Sequence, residues 1–190
     1  RKVYSIGTFR SPEEASFVPP VEQGEIPQVS HTYAYFFGSY GMINEKQLAM
    51  GETTIGNRRE LSNPTAMFDI GELSRIGLER CTTAREAIAL MGSLAEEYGY
   101  RDSGECLTVA DKNEVWLFEI LGSTPLYQSA VWAAQRVPDD HVSVSANRSR
   151  IGEIDLNNPD YFMASKNVFD IATENGWWDP ASGKPFVFYE

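Results

Sequence analysis

A helix with both of its ends written into the sequence, followed at once by a β-hairpin, constrains this chain more than any other feature. In Thr83-Ala-Arg-Glu86 the Thr hydroxyl and the Glu carboxylate are spaced to satisfy backbone N–H groups at a helix start. Ala87, Ile88, Met91, Leu94, Ala95 and Tyr98 then form one apolar stripe, and Gly99 supplies the stop. Beyond it, Cys106–Ala110 and Val115–Glu119 are β-rich runs across the polar turn Asp111-Lys-Asn-Glu114, which predicts a hairpin.

The remaining signals are weaker but consistent. Pro12, Pro19, Pro20 and Pro27 break regular ladders, so Ser11–Ser30 reads as an irregular surface segment. Tyr33–Phe37 and Gln47–Thr53 are strand-length and bounded by Gly, with Tyr40–Lys46 as the turn of a first hairpin. Asp69–Arg80 places Ile70, Leu73, Ile76 and Gly77 at helical spacing. Ala130–Val137 and Val142–Ala146 are expected to pair through Pro138-Asp-Asp140. Asn158-Pro-Asp160 is expected to open a helix running to about Glu174, ended by Asn175-Gly176. Hairpins and helices thus fall in separate blocks, ββ, αα, ββββ, α, which predicts an α+β layered fold.

Sixteen Lys plus Arg against 27 Asp plus Glu give a net charge of -11, a poor match for phosphate backbones or anionic lipid. No nucleic-acid partner is expected. No apolar stretch approaches the roughly 20 residues that span a bilayer, so no membrane partner is expected either. The two cysteines, Cys81 and Cys106, lie outside any CxxC pattern, and the two histidines form no HExxH. They read as reduced core thiols, with neither a metal nor another cofactor. The chain starts at Arg1 with no basic or apolar leader, so a cytoplasmic and a secreted or periplasmic location both stay open, as does a homo-oligomer.

Chemistry is suggested at four places. If Val142, Val144 and Ala146 face the core, His141, Ser143, Ser145 and Asn147 share the opposite face. A serine triad with Asp139 or Asp140 is disfavoured, because side chains two apart on a strand do not give nucleophile–base–orienter geometry and no GxSxG elbow exists. Leu48, Met50 and Glu52 share a side, so Glu52 should meet a cation or backbone donors, as a buried anchor or as a ligand for a cationic substrate group. Asn44, in Gly41-Met-Ile-Asn-Glu45, fits a turn residue. Cys81 precedes a helix start but also ends the previous helix, with no His near it in sequence.

Gly41-Met-Ile-Asn-Glu-Lys-Gln-Leu-Ala-Met-Gly-Glu-Thr-Thr54, Thr83-Ala-Arg-Glu-Ala-Ile88, Ser103-Gly-Glu-Cys-Leu-Thr-Val-Ala-Asp111, Glu114-Val-Trp116 and Pro138-Asp-Asp-His-Val-Ser143 through Ala146-Asn-Arg-Ser149 closely resemble the dipeptidases of peptidase family C69. The similarity runs in order from about residue 40 to 155. It implies an N-terminal-nucleophile hydrolase: an αββα sandwich of two stacked antiparallel sheets between helical layers, of which residues 1–190 would be a single partial domain. It further implies a metal-free reaction in which an N-terminal Cys attacks the peptide carbonyl. The α-amino group of such a residue, with an ordinary pKa of roughly 7.7 to 8.0, takes the thiol proton.

By the same resemblance Asn44 matches an oxyanion-hole Asn of related penicillin and bile-salt amidases, and Asn147 a second site Asn. Arg148 would bind a substrate carboxylate or pair with Glu52, and Glu52 would meet the ammonium of a dipeptide or short peptide. The nucleophilic Cys is expected upstream of Arg1, so this chain alone would lack peptidase activity and leave apolar sheet surface uncovered. Two other readings stand beside a cysteine-type dipeptidase: a penicillin- or bile-salt-type amide hydrolase of the same class, and a non-catalytic binding domain.

Overall fold

Caps fix the two long helices where the sequence places them. Asp69, in extended conformation, accepts from the Glu72 backbone N–H and starts α1 (Ile70–Arg80). Thr83 and Glu86 form the reciprocal box that starts α2 (Ala84–Tyr98). Gly99 ends α2 at a φ of 82°, a value that a side chain would resist.

The computed structural model describes residues 1–5, 8–9, 17–38, 40–124 and 128–190. Its strands are β1 (Lys2–Tyr4), β2 (Thr8–Phe9), β3 (Phe17–Val18), β4 (Glu22–Glu25), β5 (Tyr35–Phe37), β6 (Gly41–Asn44), β7 (Ala49–Thr54), β8 (Glu105–Ala110), β9 (Val115–Gly122), β10 (Ala130–Val137) and β11 (Phe162–Ala164). Seven of them form one antiparallel sheet in the order β11-β10-β9-β8-β7-β6-β5, while β1 pairs with β4 and β2 with β3. A third helix, α3 (Val168–Glu174), follows the sheet. The fold is α+β. Among the described residues no helix is long and apolar enough to cross a membrane.

The two faces of the large sheet differ. Leu48, Met50, Leu107, Val109, Trp116, Phe118 and Trp132 point to one face and are buried together with Leu73, Ile76, Ile88 and Met91 of α1 and α2. A Cβ on Gly92 would lie 2.4 Å from the Trp132 ring, so glycine is what lets α2 approach β10 this closely. On the other face, Cys106, Leu117 and Ala133 are covered by Ile151, and Val131 by Val168 and Ile171 of α3. That cover stops short of one end. Cross-strand register sets Phe36 beside Ile43, Ile43 beside Ala49, Ala49 beside Ala110, Ala110 beside Val115 and Val115 beside Val137. Six apolar side chains therefore line one row, in which Phe36 is 74% and Ile43 40% exposed.

Several expectations are corrected. In the Pro-rich stretch, positions 11–16 lie outside the described residues, but Phe17–Val18 and Glu22–Glu25 are strands and not irregular. The expected turn Tyr40–Lys46 contains β6, making a three-stranded meander. Gly41 is small for packing reasons: a Cβ there would sit 3.0 Å from Leu78 Cδ1 and from Ser74 Cβ on α1. Val142–Ala146 is not a strand; Val142 is 93% and Val144 71% exposed, and the outer edge of β10 is taken by β11 instead. The last helix starts at Val168, not near Asn158, because β11 intervenes. It ends at Asn175-Gly176 as expected, with Gly176 at a φ of 70°. The hairpin of β8 and β9 holds, extended to Gly122.

Candidate functional site

Glu119 organises the loop that carries the expected site residues. It is a lone carboxylate in the apolar run Val115-Trp-Leu-Phe-Glu-Ile-Leu121, completely buried on the face away from α1 and α2. Its oxygens accept from the Ser149 hydroxyl and from the backbone N–H groups of Arg150 and Ile151. Burial pushes its pKa up, and these donors oppose that. Ser145 adds a second tether, its Oγ 3.7 Å from Cys106 Sγ. Between the tethers Asn147 adopts a φ of 52°, a left-handed conformation that Asn tolerates, and Asn147 and Arg148 are both exposed. His141 is bonded to Asp140 at 2.7 Å, and no Ser hydroxyl of the described residues reaches it, so the rejected triad is absent there.

Asn44 sits elsewhere and is fully engaged. Its Nδ2 donates to the carbonyls of Leu78 (2.8 Å) and Cys81 (2.9 Å), and its Oδ1 accepts from the Lys46 and Leu48 backbone N–H groups, both at 3.0 Å. Neither amide hydrogen is left for an oxyanion, and the side chain brackets the β6–β7 turn to the end of α1.

Glu52 is separated from Arg148 by the sheet. It lies on the α1–α2 face with Leu48 and Met50, whereas the Asn147–Arg148 loop is held to the opposite face by Glu119. Among the described residues no ion pair joins the two. Glu52 meets another carboxyl instead, that of Glu105, whose pKa is pushed up to about 8 by burial and by the neighbouring Glu52. Glu105 Oε1 accepts from Ser103 Oγ at 3.0 Å, and the protonated Glu105 carboxyl hydrogen-bonds to Glu52. Among the described residues no cation or backbone N–H reaches Glu52, which accepts from Thr54 Oγ1 at 3.3 Å and is hydrogen-bonded to the Glu105 carboxyl.

Neither thiol is poised for attack. Burial pushes Cys81 up to about 12 and Cys106 up to about 11. A thiol so far above neutral pH carries almost no thiolate. A cavity of about 630 Å³ opens beside Ser149, lined by Val168, Trp177, Trp178 and Phe186, with Arg58 stacked 4.6 Å over the Trp177 ring. Sequence reasoning passed over Glu119 and Glu105; the signal for the first was a charged residue inside a run otherwise fit for complete burial.

The model of Peptidase family C69 matches residues 22–190. A protein of Latilactobacillus sakei named "Probable dipeptidase" is 33% identical over 138 residues, 70% of this chain and 28% of the relative. "Probable dipeptidase A" of Streptococcus pyogenes serotype M3 (strain SSI-1) is 31% identical over 135 residues, 68% of this chain and 27% of that protein. "Probable dipeptidase B" of Lactococcus lactis subsp. lactis (strain IL1403) is 36% identical over 129 residues, 65% of this chain and 26% of its own length. The chain thus spans little more than a quarter of each of these relatives.

Proposed function

The chain belongs to peptidase family C69, and from that membership we propose that it is part of a cysteine-type dipeptidase that hydrolyses short peptides through a thioester. The names of the relatives support a dipeptide as substrate. The nucleophile in this reading is an N-terminal Cys outside these 190 residues, since both thiols within them are buried and held far above neutral pH. Its sulfur attacks the peptide carbonyl carbon. The thiol proton passes through the α-amino group to the leaving amine, and water then cleaves the thioester to a carboxylate and the free thiol.

The observation that carries the reading is the Glu119-anchored loop. A buried carboxylate fixes Ser149–Ile151, so the adjacent Asn147 and Arg148 are presented from a rigid base beside an apolar, aromatic-lined cavity. Asn147 is then the candidate donor to the oxyanion, and Arg148 the guanidinium for the substrate carboxylate. Asn44 enters this reading as a bracket that positions the β6–β7 turn.

The row from Phe36 to Val137, exposed at Phe36, Ile43 and Val115, supports the αββα arrangement, in which a second sheet lies on this face. The test is hydrolysis of a dipeptide panel by the full-length protein, with iodoacetamide or EDTA added. Loss of activity with iodoacetamide and retention with EDTA is the expected result. A folded protein that cleaves no dipeptide, or one stopped only by EDTA, overturns the reading.

A further inference from the structure

The cavity of about 630 Å³ is walled by the outer face of the large sheet, by α3 and by the segment 176–190. Protein interiors are packed so closely that few voids exceed a water molecule, whereas small-molecule pockets run from roughly 300 to 1,000 Å³. The lining has two parts. Ile55, Leu61, Val131 and Val168 are buried and apolar. Trp178 and Phe186 are fixed with Phe169 in a cluster of three rings, and Trp178 Nε1 donates to the Lys184 carbonyl at 3.1 Å. Trp177 stacks on the Arg58 guanidinium instead. Flat rings held in this way suit a flat or branched apolar group.

Charge is confined to the solvent side of this space. The charged residues of the lining are Arg58, Asp179, Lys184 and Glu190, two of each sign and all exposed. They offset one another, and a charged group pushed past them into the apolar part would lose its hydration without gaining a partner. Arg58 is moreover engaged, donating to the Glu190 carbonyl while it covers Trp177. Ser149 joins the cavity to the candidate peptide site: its hydroxyl is held by Glu119, it lines the cavity, and Arg148 directly precedes it.

We propose that the cavity takes the side chain of the substrate's C-terminal residue and selects dipeptides that end in a large apolar residue, aromatic ones first. This rests on the dipeptidase reading, in which Arg148 meets the carboxylate of that same residue. With the carboxylate at Arg148, the side chain on the adjoining carbon is the substrate group nearest to the Ser149 wall, and the N-terminal residue lies one peptide unit farther away. Trp177 sets the preference by stacking on the side chain that enters, while a methyl group fills too little of the space to gain from it.

The test is kcat/KM of the full-length protein for Ala-Phe, Ala-Leu, Ala-Ala, Ala-Lys and Phe-Ala. Ala-Phe is expected to exceed Ala-Ala and Ala-Lys at least about tenfold, with Ala-Leu between them and Phe-Ala within about threefold of Ala-Ala. Trp177→Ala should lower the ratio of Ala-Phe to Ala-Ala at least about fivefold, chiefly through KM for Ala-Phe, and Trp177→Phe should restore most of it. Circular dichroism confirms the folding of both variants. Ala-Ala cleaved as well as Ala-Phe, or Phe-Ala cleaved better than Ala-Phe, overturns this assignment alone: the dipeptidase reading stands, and the cavity falls to another segment of the full-length chain. A ratio unchanged in folded Trp177→Ala overturns it as well. Cleavage of no dipeptide overturns both the assignment and the reading beneath it.

Discussion

The Asn44 side chain donates to the Cys81 carbonyl over 2.9 Å, so a residue of β6 closes the last turn of α1. The carbonyls at a helix end need partners from outside the helix, and here one side chain supplies two, for Leu78 and Cys81.

Asn44→Ala should therefore destabilise the chain by about 2–4 kcal/mol, since it strands buried carbonyls and two turn N–H groups. Urea unfolding measures this. Asn44→Asp should be as damaging, because it returns the acceptor but sets a carboxylate against the helix carbonyls. In the full-length enzyme the loss of activity should track the unfolded fraction, with kcat of the folded protein little changed. A large fall in kcat without loss of stability would restore an oxyanion role to Asn44.

Cys81 and Cys106 should resist alkylation in the folded chain at pH 8, reacting at least about a hundredfold more slowly than a free thiol. Both should react fully in denaturant. Mass spectrometry after timed iodoacetamide exposure reads the difference, and rapid labelling of either in the folded state would contradict its burial.

Glu119→Ala should free the loop at residues 149–151. Amide exchange at Arg150 and Ile151 should accelerate at least about tenfold while that of β8 and β9 stays slow, because only the loop loses its acceptor. In the full-length protein the same variant should raise KM more than it lowers kcat, if Arg148 binds the substrate carboxylate as proposed.

Stability should fall as pH rises from about 4.5 to about 8. Glu105 titrates near 4.5 when unfolded and at about 8 when folded, so within that window the folded chain holds a proton the unfolded chain has lost. Asp102 and Glu119, both raised chiefly by burial, add slopes of the same sign. Glu105→Gln should match the parent near pH 4.5 and melt above it at pH 8, as measured by thermal midpoints across the range.

What the sequence made legible was local. Thr83 and Glu86 lie three residues apart, and Asp111–Glu114 closes its own hairpin, so both elements appear in the structure where spacing puts them. Elements that depend on distant partners were misread. Gly41 looked like a turn glycine because nothing nearby in sequence reveals that Ser74 and Leu78 press against it. Val142 and Val144 alternate as a strand would, yet the edge they would need is occupied by Phe162–Ala164. The Glu52–Glu105 pair spans two strands, and the shared side of Leu48, Met50 and Glu52 was readable while the carboxyl opposite was not. Of the two roles open to Arg148, pairing with Glu52 is not seen among the described residues, because no spacing rule told which face the loop after β10 would take.

The row from Phe36 to Val137 also sets where mutations leave a trace. Phe36 is largely and Ile43 partly exposed, so charged replacements, above all at Phe36, cost this chain little of its own folding energy and would pass a screen that reads only its thermal stability. A selection scored on the whole enzyme would weigh the same positions heavily if another layer rests on them. The gap between the two scores, position by position along the row, would trace the footprint of that layer.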